Sequence, residues 1–223
     1  MGGGLGTPPI RPKKIIPAKE LINLDMDAFL SEDVALVLDG IKNPINLITK
    51  IPSVALKSLR KYPDVWNRLD YHIQVTTIED GRIMYQPSLL KLVKEAKSIS
   101  CRVDPIIPGI TKDHDVIKHL KYLKSIGIRH VTCNPLRIYS WHRYPKSVMK
   151  YYSDGEYVTR RKRVRMINRD EELRIFKMLR KYTDELGMTL GVCMSRLTAQ
   201  ELATGPCEGG VYIGRYGEFI GLL

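Results

Sequence analysis

The sequence predicts an α/β fold, a partial (β/α) barrel of about five to six parallel strands, and three observations predict it. Short apolar runs that read as buried strands recur about 26–29 residues apart, the length of a strand, a helix and two short loops. Segments with helical periodicity fill the intervals between them. With 223 residues, 43% of them hydrophobic, the chain is long enough for one domain that buries roughly 70% of its unfolded surface without disulfide or metal staples.

Each element follows in chain order. Residues 1–20 form a Gly/Pro-rich N-terminal segment, and residues 21–223 the barrel-like domain. Leu21-Ile22-Asn23-Leu24 is the optional sixth strand, and Ile45–Lys50 is the first of the regular runs. Ser53 begins a helix through Ala55, Leu56 and Leu59, and Tyr71–Thr77 is the next strand. Pro87-Ser88 opens a helix with Leu89, Leu90, Leu92, Val93 and Ala96 on its periodic positions, and Ser100–Pro105 returns as a strand. Thr111 and Asp113 are candidate caps for a helix that runs through Val116, Leu120 and Leu123 and stops at Gly127. Arg129–Asn134 is another strand. From about 135 to 168 the rhythm breaks, and a longer insertion rich in Tyr and Arg intervenes. A helix over Asp170–Leu186 and a strand over Met188–Cys193 then resume the alternation, and Gly209–Gly217 reads as a hairpin or a closing strand. A doubly wound sheet is the alternative arrangement, because a sequence does not order its strands.

Charge and cysteine content narrow the partners and the compartment. Lys and Arg total 36 against 24 Asp and Glu, a net charge of +12, which favours an anionic partner such as nucleic acid, a nucleotide or an acidic membrane surface. Cys101, Cys133, Cys193 and Cys207 are far apart with no C-x-x-C pair, a poor framework for zinc or disulfides. The expectation is a reducing, cytoplasmic location. No apolar run approaches the ~20 residues that span a bilayer, and the N-terminus has no apolar signal core, so no membrane partner is expected.

In parallel α/β folds the ligand site lies beyond the C-terminal ends of the strands. That rule selects Thr49 and Lys50, Thr76 and Thr77 with Glu79 and Asp80, Arg102 and Asp104, and Cys133 and Asn134. Lys50 suits a carboxylate or phosphate. Arg102 and Asp104 alternate with Val103 and share one face. The insertion sets Arg137, Arg143, Lys146, Lys150 and Arg160-Arg161-Lys162-Arg163 among Tyr139, Trp141, Tyr144, Tyr151, Tyr152 and Tyr157. Cations track phosphates and aromatic rings stack on unpaired bases, so Asn134, Tyr139, Trp141, Arg160, Arg161, Lys162 and Arg163 join Lys50 as candidate substrate contacts. Asp115 and His119 stand four apart, a spacing that permits metal binding, but no third ligand is evident and helix capping is the preferred reading. No metal site and no catalytic residue is assigned.

The series Leu47-Ile48-Thr49-Lys50, Val75-Thr76-Thr77 and Val103-Asp104-Pro105-Ile106-Ile107-Pro108-Gly109, then a helix and Gly127-Ile128-Arg129-His130-Val131, resembles the latter strands of a radical S-adenosylmethionine (radical SAM) barrel. Within that superfamily it is most similar to the spore photoproduct lyase-like group. The resemblance covers roughly residues 45 to 135. It implies S-adenosylmethionine as cofactor, with Thr76, Thr77, Arg102 and Asp104 on the cofactor side and the glycine run Gly2-Gly3-Gly4 meeting the methionine moiety through its backbone. It also implies a lyase-type activity on nucleic acid. The family holds a [4Fe–4S] cluster with a C-x₃-C-x₂-C triplet, which this sequence lacks. In the family the triplet precedes the glycine run, where this chain begins. The expectation is therefore a shortened or split relative whose cluster-bearing part is absent or on a partner chain, or a non-catalytic nucleic-acid-binding protein on the same scaffold. A barrel hydrolase using Asp104 and Lys50 lacks a positioned base.

Overall fold

A computed structural model of the chain describes residues 22–24, 27–134, 136–139, 143–159, 162–193, 197–205, 211–213 and 219–221. The elements run β1 (Ile22–Leu24), α1 (Val34–Leu38), β2 (Ile45–Thr49), α2 (Pro52–Lys61), α3 (Pro63–Arg68), β3 (Tyr71–Thr76), β4 (Ile78–Glu79), β5 (Arg82–Ile83), α4 (Pro87–Glu95), β6 (Ile99–Arg102), α5 (Asp113–Ser125) and β7 (His130–Cys133). After them come β8 (Ile138–Tyr139), α6 (Lys146–Met149), β9 (Tyr152–Thr159), β10 (Lys162–Ile167), α7 (Arg169–Glu185), β11 (Thr189–Val192), α8 (Leu197–Gln200), β12 (Val211–Ile213) and β13 (Phe219–Gly221).

Six strands form one parallel sheet in the order β1-β2-β3-β6-β7-β11, which is their order along the chain. A doubly wound sheet reverses direction at a switch point, and this one never does. Every crossover of the same hand therefore sets its helix on the same face, and the sheet is an open, partial barrel. The sheet does not close on itself.

Strand alternation sorts the side chains onto two faces. Ile45 and Leu47 of β2, Tyr71, Ile73 and Val75 of β3, Cys101 and Val103, Val131 and Cys133, and Leu190 and Val192 join the apolar core with the helices. Leu56, Leu59, Trp66, Leu92, Leu120, Leu123 and Phe176 meet them from the helix side. Each such side chain, fully buried, contributes roughly 1.5–3 kcal/mol of transfer free energy. Trp66 is buried in this layer, stacked on Phe29 and edge-on to Tyr71, with its indole N–H donating to the Ser58 hydroxyl at 3.2 Å.

The helix boundaries have local causes. Proline occupies the first turn of α2, α3 and α4, so α2 begins at Pro52 rather than at Ser53. Gly127 (φ +103°) and Gly187 (φ +59°) end α5 and α7 in left-handed conformations. The Ile128 N–H donates to the Leu123 carbonyl and the Met188 N–H to the Thr183 carbonyl, the six-to-one bond of a Schellman motif. The start of α5 differs from expectation: the N-cap is Lys112, with no side-chain cap. Thr111 spends its hydroxyl elsewhere, donating to the Gly81 carbonyl at 2.8 Å. Asp113 pairs with Arg174 of α7.

The insertion carries a sheet of its own, antiparallel, in the order β8-β10-β9. Ile138, Val148, Tyr152, Val164, Met166 and Ile167 are buried beneath it. No helix among the described residues is long and apolar enough to cross a membrane.

Candidate functional site

The face of the sheet turned away from the helices is polar and buried. Register lays its side chains in rows. Ile48, Gln74, Ser100, His130 and Thr189 form one row, and Thr76, Arg102 and Thr132 the next towards the C-terminal ends. His72, one row below, contacts Ser98 at 2.7 Å through Nδ1 and Ser100 at 2.8 Å through Nε2. His130 does the same with Thr189 (2.9 Å) and Thr132 (3.1 Å). Burial, with His130 nearby, lowers the His72 pKa to about 3, so the ring is neutral at physiological pH.

At the strand ends the Arg102 guanidinium donates to Asp104 at 2.8 Å, with both side chains nearly buried. It also reaches the Gln74 carboxamide oxygen at 3.5 Å. A buried pair of this kind is weak evidence for stability, but removing one partner costs about 3–5 kcal/mol because the other charge is left unpaired. The Gln74 Nε2 is buried with no hydrogen-bond partner in the structure, an exception to the rule that buried donors are satisfied. Thr77 donates its hydroxyl to the Arg102 carbonyl at 3.0 Å and lies 2.8 Å from His119 Nε2. That contact holds the buried His119 ring against the exposed Tyr85 and the half-buried Tyr122, and burial lowers its pKa to about 4.

Asp27, which the sequence reading missed, fastens the end of β1 to the end of β2. Its carboxylate accepts from the Thr49 hydroxyl (2.7 Å), the Lys50 N–H (2.9 Å) and the Phe29 N–H (3.0 Å). Lys50 extends its ammonium to Glu79 at 3.1 Å. Glu79 belongs to a second unforeseen feature, the β4–β5 hairpin. Asp80 (φ +48°) and Gly81 (φ +75°) both take the positive φ of a two-residue primed turn, for which Asp-Gly between apolar residues is the sequence signal. The hairpin is pinned on the loop after β6: a Cβ at Gly81 would lie 2.9 Å from the Thr111 hydroxyl.

Above these ends lies a cleft of about 560 Å³ lined by Glu79, Asp80, Arg82, Met84, Ile110 and Tyr144. Its lining combines two apolar side chains, one aromatic ring and charges of both signs. Burial, with Asp80 nearby, raises the Tyr144 pKa. The insertion closes on this mouth at Gly109 (φ +85°), where a Cβ would stand 3.0 Å from the Ser147 carbonyl oxygen and 3.4 Å from the Tyr151 ring.

The structure thus brings Thr76, Thr77, Arg102 and Asp104 together, with Arg102, Asp104 and Thr77 bonded to one another or to their neighbours. Lys50 stands at the rim, and the half-buried Asn134 and Tyr139 follow β7 and lie in β8. Lys162 and Arg163 are opposite Thr159 and Tyr157 in the β9–β10 ladder. Gly2, Gly3, Gly4, Trp141, Arg160, Arg161 and Cys207 lie outside the described residues.

Cys101, Cys133 and Cys193 are buried. Burial pushes the Cys101 thiol pKa up, and burial with the Asp104 charge nearby does the same to Cys133. Among the described residues no group of three or more His, Cys, Asp or Glu side chains is arranged to hold a metal ion.

No protein-family model and no curated protein matches this chain. Among solved structures it is similar to a cysteine-to-alanine variant of spore photoproduct lyase, with a TM-score of 0.60 at 9% identity. The same variant with dinucleoside spore photoproduct gives 0.60 at 10%, and a tyrosine-to-phenylalanine variant 0.59 at 10%. Each likeness covers 78% of this chain and 61% of the other, so this chain spans about three-fifths of the length of those enzymes. At that identity the likeness is one of fold, a radical SAM-like α/β scaffold.

Proposed function

We propose that this protein holds unpaired or distorted nucleic acid at the mouth of a radical SAM-like partial barrel. The observation that carries the reading is the junction at Gly109, which seats the basic, aromatic insertion directly on the strand-end loop beside the cleft. A base entering the cleft stacks on Tyr144 over Met84 and Ile110, which gives about 1–3 kcal/mol per base in comparable sites. Arg82 at the rim and Lys162 and Arg163 of β10 take the phosphates. Glu79 and Asp80 accept hydrogen bonds from exocyclic amines or sugar hydroxyls.

The resemblance implies S-adenosylmethionine and an iron–sulfur cluster. The described residues do not fit the cluster: their three thiols are buried, and burial holds Cys101 and Cys133 in the protonated form, whereas a cluster needs thiolates in close array. No step is derived through it. The proposal for S-adenosylmethionine is narrower: Gln74 Nε2 and Thr76, beside the Arg102–Asp104 pair, would meet the cofactor, and calorimetry with the free cofactor tests that separately.

The nucleic-acid reading is tested by anisotropy with a labelled single strand of about 12 nucleotides at about 50–200 mM salt. Binding should weaken as salt rises, and Arg82→Ala and Arg163→Ala should each lower the log–log salt slope by about 0.7. Salt-independent binding, or none, overturns it.

A further inference from the structure

α4 and α5 lie side by side on the helix-bearing face, because β3, β6 and β7 are consecutive in the sheet. Each turns its apolar side inward, through Leu89 and Leu92 in α4 and Val116, Leu120 and Leu123 in α5. On the opposite side each presents two exposed lysines three residues apart, Lys91 and Lys94 in α4, Lys118 and Lys121 in α5. α2, packed against α4, adds the exposed Lys57.

Among the described residues none of these five lysines is in an ion pair, whereas every carboxylate of the three helices is engaged. Glu95 pairs with Arg60, Asp113 with Arg174, and Asp115 with His114. The result is a band in which five exposed lysines outnumber the three carboxylates of these helices, with Lys91 near enough to Glu95 to help hold that carboxyl's pKa down. Lysines three apart on one helix rise about 4.5 Å, and packed helix axes such as those of α2 and α4 are about 8–10 Å apart, so the band spans several phosphates of a duplex that carries one charge per ~1.7 Å.

Within the three helices the band has no exposed aromatic ring. Tyr122 of α5 is half-buried against His119, and the exposed Tyr85, just before α4, is packed edge-on to both. The lysines themselves meet phosphate rather than bases, which suits a duplex. A membrane-surface helix needs its apolar side free for lipid, and here those sides are committed to the sheet.

We propose that the lysine band of α2, α4 and α5 grips the phosphate backbone of duplex nucleic acid. In joining the paired tract to unpaired nucleotides at the mouth, the proposal rests on the reading of the mouth. The duplex contact itself is separable.

The test uses the full chain, a blunt duplex of about 20 base pairs, and the single strand used for the mouth. The quadruple variant Lys91→Ala, Lys94→Ala, Lys118→Ala, Lys121→Ala should lower the duplex salt slope by about 3–4 and weaken duplex binding at least tenfold, roughly, at ~0.1 M salt. Its single-strand binding should stay as in the parent. The corresponding quadruple Arg variant should keep duplex binding, which separates lost charge from lost fold. An unchanged duplex slope in the Ala variant overturns the proposal, as does parent protein that binds phosphatidylserine–phosphatidylcholine vesicles but ignores the duplex. If Arg82→Ala and Arg163→Ala leave single-strand binding intact while the lysine variant loses the duplex, the mouth reading falls and the band stands.

Discussion

Burial determines the behaviour of His72. Both of its ring nitrogens contact serine hydroxyls, and the protonated ring would face His130 in a site closed to water. An unfolded histidine takes its proton near pH 6.5, whereas folded His72 resists until about 3. Over that window the unfolded state binds more protons. The contribution to stability is therefore complete above pH 6.5 and declines as pH falls through the window, by roughly 1.4 kcal/mol per pH unit. Urea unfolding at about pH 7 and pH 5 should show the decline, and His72→Gln should reduce it by roughly half, the remainder coming from His119, whose pKa burial lowers to about 4. An undiminished decline in the variant rejects His72 as the titrating group. Such residues were half legible in the sequence. His72, Gln74 and Thr76 alternate with Tyr71, Ile73 and Val75, and polar side chains with a period of two inside a buried strand mark a second, polar face. Arg102 and Asp104 were legible for the same reason. Asp27 carried no such mark, because its partners Thr49 and Lys50 are brought to it only by the pairing of β1 with β2.

Gly109 joins the insertion to the barrel. Its left-handed φ and the 3.0 Å approach of a Cβ to the Ser147 carbonyl make Gly109→Ala a strained substitution, costing about 1–3 kcal/mol at this junction. Single-strand affinity should fall several-fold in this variant while duplex affinity holds, and equal losses on both would tie the junction to global stability instead. The elements themselves were legible wherever one period ran unbroken. β2, β3, β7, α7 and β11 lie within a residue or two of where apolar runs and glycine stops put them. The sheet of the insertion was not, because register shifts between Lys162 and Arg163 and between Val164 and Met166 break the alternation that identifies a strand. The β4–β5 hairpin had its Asp80-Gly81 signal, but its two-residue strands are too short for any periodicity.

At the scale of the whole molecule, the net charge of +12 draws on the Arg- and Lys-rich insertion and on the lysine band, whereas the rim of the mouth holds charges of both signs. Protection should be graded across the sheet. β3 is buried throughout and paired on both sides, whereas β1 is a three-residue strand with a neighbour on one side only. Native-state hydrogen exchange should be slowest in β3 and β6 and fastest in β1, and uniform protection would contradict an open sheet. Strand order was the one global property the sequence left undecided, and the regular spacing of the apolar runs already favoured a barrel-like arrangement. Its being the chain order has a kinetic meaning. Up to β7, each strand of the large sheet docks on the strand laid down just before it, so loop-closure entropy stays small through those steps. The longest delay falls between β7 and β11, where the insertion and α7 must be traversed before the last strand finds its neighbour. Folding from the N-terminal edge can keep pace with synthesis up to β7, and closure of that final long loop sets the tempo for the rest.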